Sequence, residues 1–320
     1  MRIVALVPGG IGDQLLFFPT LDTLKQAYPN AHIDVVVEPR AKDAYRVSKS
    51  VQDTLLFDFK GRNSLADLGN LLGAIREREY ELVLSLGQRW TVGLLLWLTG
   101  IPNRVGYAGS AGEFFLTRPV PLKQNQYAAL MYHDLLQGID IHTPCPELAI
   151  SVPSQDLDWA EGERKRLDIQ SSGYVLIHGG SSQLAKAKGI DKIYPVKSWQ
   201  GIIRDFEQRQ PGLPIVVVKG PDDADFVVPL LETNPRLKVT APADVGKLAA
   251  MIAAANLMLC TDSAPMHLAV AVKTYTVALF GPTDPQKLLP DSNRFIGIKS
   301  LTGKMSDISP QTVLEKVWSS

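Results

Sequence analysis

Short apolar runs alternate with amphipathic stretches along most of this chain. In the first half, residues 3–7, 33–37, 55–59 and 82–86 read as buried strands. Helical patterns lie between and after them at about 13–28, 41–48, 65–78, 91–98 and 125–137. Strands that alternate with helices in this way predict a parallel sheet covered on both faces. Around 143–153 the chain turns proline-rich (Pro144, Pro146, Pro153), which reads as a linker. A polar helix over about 155–167 follows, and the pattern restarts. Strands are predicted at 174–178, 215–218, 257–261 and 276–280, with 237–240 weaker. Helices fall near 199–209, 223–232, 245–255, 266–272 and 312–318. The expectation is two doubly wound α/β domains, 1–153 and 154–320.

Length agrees, since 320 residues exceed the usual single core. Lys+Arg and Asp+Glu both number 33, so the chain has no net charge and no electrostatic footprint for nucleic acid. The two cysteines, Cys145 and Cys260, lack metal-ligand spacing, and Cys260 reads as a buried thiol in the apolar run Leu-Met-Leu-Cys-Thr. The opening MRIVALVPGGIGD is a strand into a glycine turn, not a signal peptide. The longest apolar helical run, 92–98, falls far short of the roughly 20 residues a membrane span needs. A cytoplasmic protein, at most peripheral to a membrane, is expected.

Candidate chemistry concentrates where strands end. Pro8-Gly9-Gly10-Ile11-Gly12-Asp13 joins the first strand to the first helix. It is not a dinucleotide fingerprint, because Leu15 stands where the third glycine belongs; Glu38 alone offers an acid near the second strand end. In the second half, His178-Gly179-Gly180-Ser181-Ser182 and Lys219-Gly220-Pro221-Asp222-Asp223 follow strands. So do Thr261-Asp262-Ser263 and Gly281-Pro282-Thr283-Asp284-Pro285. Strand ends that meet a helix N-terminus form an anion site, from free N–H groups and the helix dipole. The D-x-D pairs Asp223/Asp225 and Asp156/Asp158 read as acidic first turns of helices, so no metal is expected. Asp262, Ser263 and His267 stand too close in sequence for a hydrolase triad, and no nucleophile elbow is present.

Several of these stretches resemble glycosyltransferase family 9, the ADP-heptose–lipopolysaccharide heptosyltransferases. The matching features are the Gly12-Asp13 turn, Pro19, Tyr28-Pro29-Asn30-Ala31, Lys197-Ser198-Trp199, and Asp262-Ser263-Ala264 with His267. The resemblance implies the GT-B fold: two Rossmann-like domains facing across a cleft, acceptor on the first and nucleotide sugar on the second. It implies that the last helix crosses back onto the first domain. The implied activity is inverting, metal- and cofactor-independent transfer of a heptose or related sugar. The donor is a nucleoside-diphosphate sugar, preferably ADP-linked, and the acceptor a glycan or lipopolysaccharide-type glycolipid.

By the same resemblance Asp13 is the catalytic base, with helix capping as the other reading. Ser181, Ser182, Lys197, Asp223, Ala243, Asp262, Ser263, Ala264 and His267 are the implied donor contacts. Gly12, Lys60, Arg62, Arg104 and Arg118 are the candidate acceptor contacts. Two departures stand out. Fourteen residues, 183–196, separate Ser182 from Lys197, which makes Lys192 the alternative lysine, and Ala264 replaces a glycine. Trp90, Trp97, Phe114 and Phe115 read either as contacts to a membrane-bound acceptor or, more plainly, as core. The competing readings are a non-catalytic member that binds a sugar, lipid or protein partner, and a nucleotide-sugar hydrolase or epimerase.

Overall fold

The computed structural model describes residues 1–61, 63–170, 172–180, 190, 192–221 and 223–319. The chain separates into two compact units, Met1–Ser151 and Val152–Ser320. The first holds strands β1 (Arg2–Val7), β2 (His32–Val37), β3 (Asp53–Leu56), β4 (Leu82–Ser85), β5 (Asn103–Tyr107) and β6 (Arg118–Val120). Its α-helices are α1 (Ile11–Ala27), α2 (Leu65–Glu77), α3 (Trp90–Leu98) and α4 (Ala128–His133). The second holds α5 (Ser154–Arg166), β7 (Val175–His178), α6 (Val196–Arg209), β8 (Ile215–Val218), α7 (Ala224–Thr233) and β9 (Lys238–Thr240). It continues with α8 (Val245–Ala253), β10 (Leu257–Thr261), α9 (Ala264–Ala271), β11 (Thr276–Phe280), α10 (Pro285–Leu288), β12 (Phe295–Lys299) and α11 (Pro310–Trp318).

All pairings are parallel. The orders are β3-β2-β1-β4-β5-β6 and β12-β11-β10-β7-β8-β9. Numbered within its own unit, each sheet reads 3-2-1-4-5-6, the doubly wound order. Its crevice opens at the carboxyl ends of the first and fourth strands. Those places are β1/β4 in the first unit and β7/β10 in the second. The α/β fold class expected from the sequence is borne out.

Burial on both faces explains the uninterrupted apolar strands: every residue of β4, β7, β8, β10 and β11 is buried. Helix α1 is apolar nearly all round, and Leu15 to Leu21 all lie inside. In the second unit Trp199 packs edge-on against Tyr194 and Phe226, with ring centroids 5.3 and 6.0 Å away. The last helix, for which a return to the first half was expected, packs on α6 of its own unit. Trp318 lies 4.8 Å from the Phe206 ring and donates from Nε1 to Asp205 Oδ1 at 2.9 Å.

Three strands escape the hydrophobic pattern. β5 carries Asn103, Arg104 and Gly106, and β6 carries Pro119, which an outermost strand tolerates because one side has no ladder. β12 lies at the other sheet's edge with only one of its five residues buried. Two predicted helices tighten into 3₁₀ turns, over Pro39–Val47 and, after α4, over Asp134–Ile139. β3 stops at Leu56 rather than running to 59, because Asp58 turns the chain by accepting from the N–H groups of Lys60 and Gly61.

Candidate functional site

The first unit's crevice is built on the turn after β1. Gly9 adopts φ 135°, which only glycine takes easily, and a Cβ there would lie 2.2 Å from Asp13 Oδ2. The turn thereby brings the Asp13 carboxylate back over the strand end, where Oδ2 accepts from Gly10 N–H at 2.7 Å. Asp13 is the third residue of α1, so it does cap the helix, and capping and catalysis are compatible at this position. Tyr132 of α4 hydrogen-bonds Asp13; burial and then the Asp13 charge push its phenol up. Gly12 lies in the same first turn.

Beside it, Glu38 at the end of β2 is buried and accepts from Gly9 N–H at 3.1 Å. Arg40 binds its other oxygen at 2.7 Å, and Lys60 Nζ lies 3.6 Å away. Glu38 is therefore occupied by the turn and by two cations, which removes it as a ribose reader. Lys60 belongs to this edge, as expected. Arg40 and Tyr132 belong to it too and had no motif to announce them; only the position of Arg40, two residues past a strand end, was a signal.

Arg104 and Arg118 are not brought there. Arg104 pairs in register with Val83, and Val83 is level with Val4, three residues below the end of β1. That separation is roughly 10 Å along the strands. Its guanidinium donates to the carbonyls of Phe115 and Ile101 at 2.8 and 2.6 Å, a framework role. Arg118 opens the outermost strand, 49% exposed, with Asp140 3.9 Å away. Arg62 lies outside the described residues.

The second unit's crevice gathers more groups. His178 ends β7, and both ring nitrogens face polar atoms. Nδ1 lies 3.3 Å from Ser263 Oγ, and Nε2 3.4 Å from Asp223 Oδ2. His178 and Asp223 are buried. Asp223 also accepts from Gly220 N–H at 2.7 Å. This carboxylate is turned inward onto histidine and backbone, and a Cβ on Gly180 would come within 1.7 Å of it. The structure gives this implied donor contact a different first task, that of holding His178.

Asp262, at the end of β10, is buried; its Oδ2 accepts from Lys192 Nζ and from Thr283 Oγ1, each at 2.6 Å. Thr283 comes from the Gly281–Asp284 turn after β11, so three strand ends meet here. Ser263 is the N-cap residue of α9, and its hydroxyl donates to Thr261 O at 3.0 Å rather than capping the helix. In the first turn of α9, Pro265 has no N–H and that of Met266 donates to Ser263 O at 3.1 Å. Ala264 begins that helix and is not among the residues with positive φ, so the exchange of glycine for alanine costs no backbone strain. His267 is buried in the same helix.

The lysine at this edge is Lys192, the alternative; Lys197 is exposed on the first turn of α6. Trp199, two residues on, is wholly buried, so the Lys-Ser-Trp match reports packing of α6 more than ligand contact. Ala243 is exposed in the loop after β9, the outermost strand. Ser181, Ser182 and Asp222 lie outside the described residues, as does most of the 183–196 stretch. Burial, then Asp262, pushes the Cys260 thiol up, which leaves it an inert core residue.

The family model described as glycosyltransferase family 9 (heptosyltransferase) matches residues 69–318, a stretch that begins after Asp13. Lipopolysaccharide heptosyltransferase 3 of Escherichia coli is 26% identical, over 89% of this chain and 85% of its own length. Photosynthetic NDH subunit of subcomplex B 1, a chloroplast protein of Arabidopsis thaliana, is 25% identical, over 98% of this chain and 72% of its own. Among solved structures, the glycosyl transferase family 9 protein of Veillonella parvula superposes with a TM-score of 0.85 at 22% identity, covering 99% of this chain and 96% of that one. An Escherichia coli heptosyltransferase solved with ADP gives 0.77 at 17% identity, covering 100% and 97%. The structural neighbours share the fold, and the family model spans well over half of the chain: it belongs to glycosyltransferase family 9, the heptosyltransferase family.

Proposed function

We propose that this protein moves a heptose or related sugar from an ADP-linked donor to a lipopolysaccharide-type acceptor at the inner membrane face, with inversion and without metal or cofactor. The observation that supports this reading best is the unlike chemistry of the two crevices. Asp13 is held by a backbone N–H and a phenol and, among the described residues, has no ion pair. In the proposed step it takes the proton of an acceptor hydroxyl while that oxygen attacks the anomeric carbon. The nucleoside diphosphate leaves from the opposite face, so the new bond has inverted configuration. Arg40 and Lys60 suit an anionic acceptor.

In the second crevice, Lys192, Ser263 and the α9 N-terminus offset the charge that grows on the departing diphosphate. Ser181 and Ser182 complete the phosphate set in this reading, Ala243 serves the nucleoside side, and Asp223 acts on the donor through His178. The heptosyltransferase solved with ADP supports the choice of ADP. Thermal unfolding with ADP, UDP, GDP and CMP in parallel, without added metal, tests it. A ligand at about 100 times its dissociation constant adds roughly 2.7 kcal/mol. A shift with ADP alone is expected, followed by sugar transfer in the presence of a chelator.

A second reading is favoured by the chloroplast NDH subunit, whose name describes a component of an assembly. A family member can serve as a binding subunit, since fold does not fix function. Nucleotides would then leave the unfolding midpoint unmoved. Release of free sugar from donor alone would point instead to a hydrolase.

A further inference from the structure

The structure leaves the tryptophans of α3 on the surface, where core packing was the plainer expectation. Trp90 and Trp97 are 56% and 54% exposed, Leu98 is 38% exposed, and Phe114 from the adjoining 3₁₀ turn Glu113–Phe115 is 91% exposed. Trp90, Leu94 and Trp97 are spaced by four and three residues, so they share one helix face. The whole helix, Trp-Thr-Val-Gly-Leu-Leu-Leu-Trp-Leu, carries no charge. Phe114 is fixed beside it, because Gly93 lets the turn approach closely. A Cβ on Gly93 would lie 2.6 Å from Gly112 O and 3.0 Å from the Phe115 ring. The result is an exposed aromatic patch on the first unit.

Its borders are cationic. Exposed Arg89 is the residue just before α3, and Arg76 of α2 donates to Leu98 O at 3.0 Å at the helix's other end. The nearby acid, Glu113, is turned away onto Gly109 N–H at 2.6 Å. Tryptophan and leucine on one face with arginine at the rim match a bilayer interface with anionic headgroups. A protein partner would be met by the same apolar area, but an exposed arginine at each end of α3, on a helix that carries no charge of its own, favours a negative surface.

We propose that α3 and Phe114 form the face by which this protein docks on an anionic lipid bilayer. The placement suits the proposed acceptor. Helix α3 follows β4, the strand beside β1, so Trp90 emerges at the same sheet edge as Asp13. A glycolipid head standing out of the bilayer would meet that edge. The inference deepens the reading of a glycolipid acceptor, yet lipid docking is measured without donor or acceptor, so either can fail alone.

The test is flotation of the full chain with vesicles of phosphatidylcholine, alone or with one third phosphatidylglycerol, with tryptophan emission read in parallel. Binding to the anionic vesicles with a blue shift is expected, weakened by salt. Trp90→Ser with Trp97→Ser lowers partitioning by about tenfold or more. Arg89→Gln lowers it about fivefold on anionic vesicles and leaves the neutral ones unchanged. Phe114→Ser serves as a variant whose exposed position keeps folding intact, checked by an unchanged unfolding midpoint. Absence of binding to anionic vesicles overturns the proposal, and so does binding that none of these variants weakens. A chain that ignores vesicles but self-associates through this face, becoming monomeric as the tryptophan variant, also overturns it.

Discussion

The two units use one topology for opposite electrostatic ends. In the first, the acid at the crevice, Asp13, rests on a backbone N–H and a phenol. The cations nearby, Arg40 and Lys60, are gathered on a different carboxylate, Glu38. In the second, each crevice acid has a basic group against it: Asp223 faces His178, and Asp262 holds Lys192. An acid paired with a cation serves as its counter-ion; an acid whose oxygens no cation occupies is open to an acceptor hydroxyl. The contrast teaches that a strand-end aspartate is not one motif. Its role follows from what is placed beside it, a buried glutamate at the next strand end that diverts the cations in one unit and a lysine from the stretch between β7 and α6 in the other.

The contrast breaks most sharply at Asp13. Asp13→Ala should lower transfer by about 10²–10⁴-fold, the usual worth of a positioned base. The unfolding shift produced by ADP should stay, because that ligand is assigned to the other unit. Loss of the ADP shift with retained transfer would move the base elsewhere. Lys192→Ala comes next, with ADP binding weakened by roughly 10–100-fold, as for a charge-assisted contact. Apo stability should fall as well, since buried Asp262 loses its cation. Lys197→Ala should change ADP binding by less than about twofold, as for an exposed surface charge. The reverse ranking would restore the Lys-Ser-Trp lysine.

These rankings also mark where sequence reasoning stopped. Both sheets and both crevice turns were legible, because buried parallel strands are plain apolar runs and glycines punctuate their ends. Asp262 and Ser263 were singled out because they follow a strand directly, and Asp13 because it closes the glycine turn after β1. Edge strands β6 and β12 were not legible, since a strand half open to solvent has no obligatory pattern, and β5 beside β6 breaks its apolar run with Asn103, Arg104 and Gly106. Lys192 was only an alternative, because its partner Asp262 is 70 residues away and no local spacing records a long-range ion pair. Arg104 was a candidate acceptor contact because arginine suits an anion, but its guanidinium is spent on two carbonyls of its own unit. His178 was read as part of a glycine turn, and its place between Ser263 and Asp223 depends on three separate strand ends.

That histidine gives a smaller, sharper test. Asp223→Asn keeps the shape but weakens the hold on His178 Nε2, and Ser263 is the group His178 faces with its other nitrogen. Loss of one such hydrogen bond is worth about 1 kcal/mol, so donor KM should rise about fivefold with kcat little changed. His178→Gln should reproduce that split. A fall in kcat of the size seen for Asp13→Ala would instead place Asp223 among the reacting groups and erase the distinction between the two crevices.

The smallest effect concerns how the first crevice is held together. Tyr132 reaches Asp13 from α4, and the next residue, His133, fastens α4 to α1 through Thr23 Oγ1, 3.0 Å from its Nε2. Burial holds the His133 imidazole below its ordinary value of 6.5, with Asp134 opposing weakly. The folded protein therefore resists the proton that the unfolded chain accepts. Above the unfolded value both states are neutral and nothing is lost. As pH falls through that value the unfolded state binds more protons, and stability declines until the folded imidazole titrates too. Between about pH 8 and about pH 5 the midpoint of the native protein should fall further than that of His133→Gln, by no more than about 2–4 °C. Glutamine can still meet Thr23 but carries no titrating proton. Equal pH dependence in the two proteins would show that α4, and with it Tyr132 on Asp13, is fastened by packing alone.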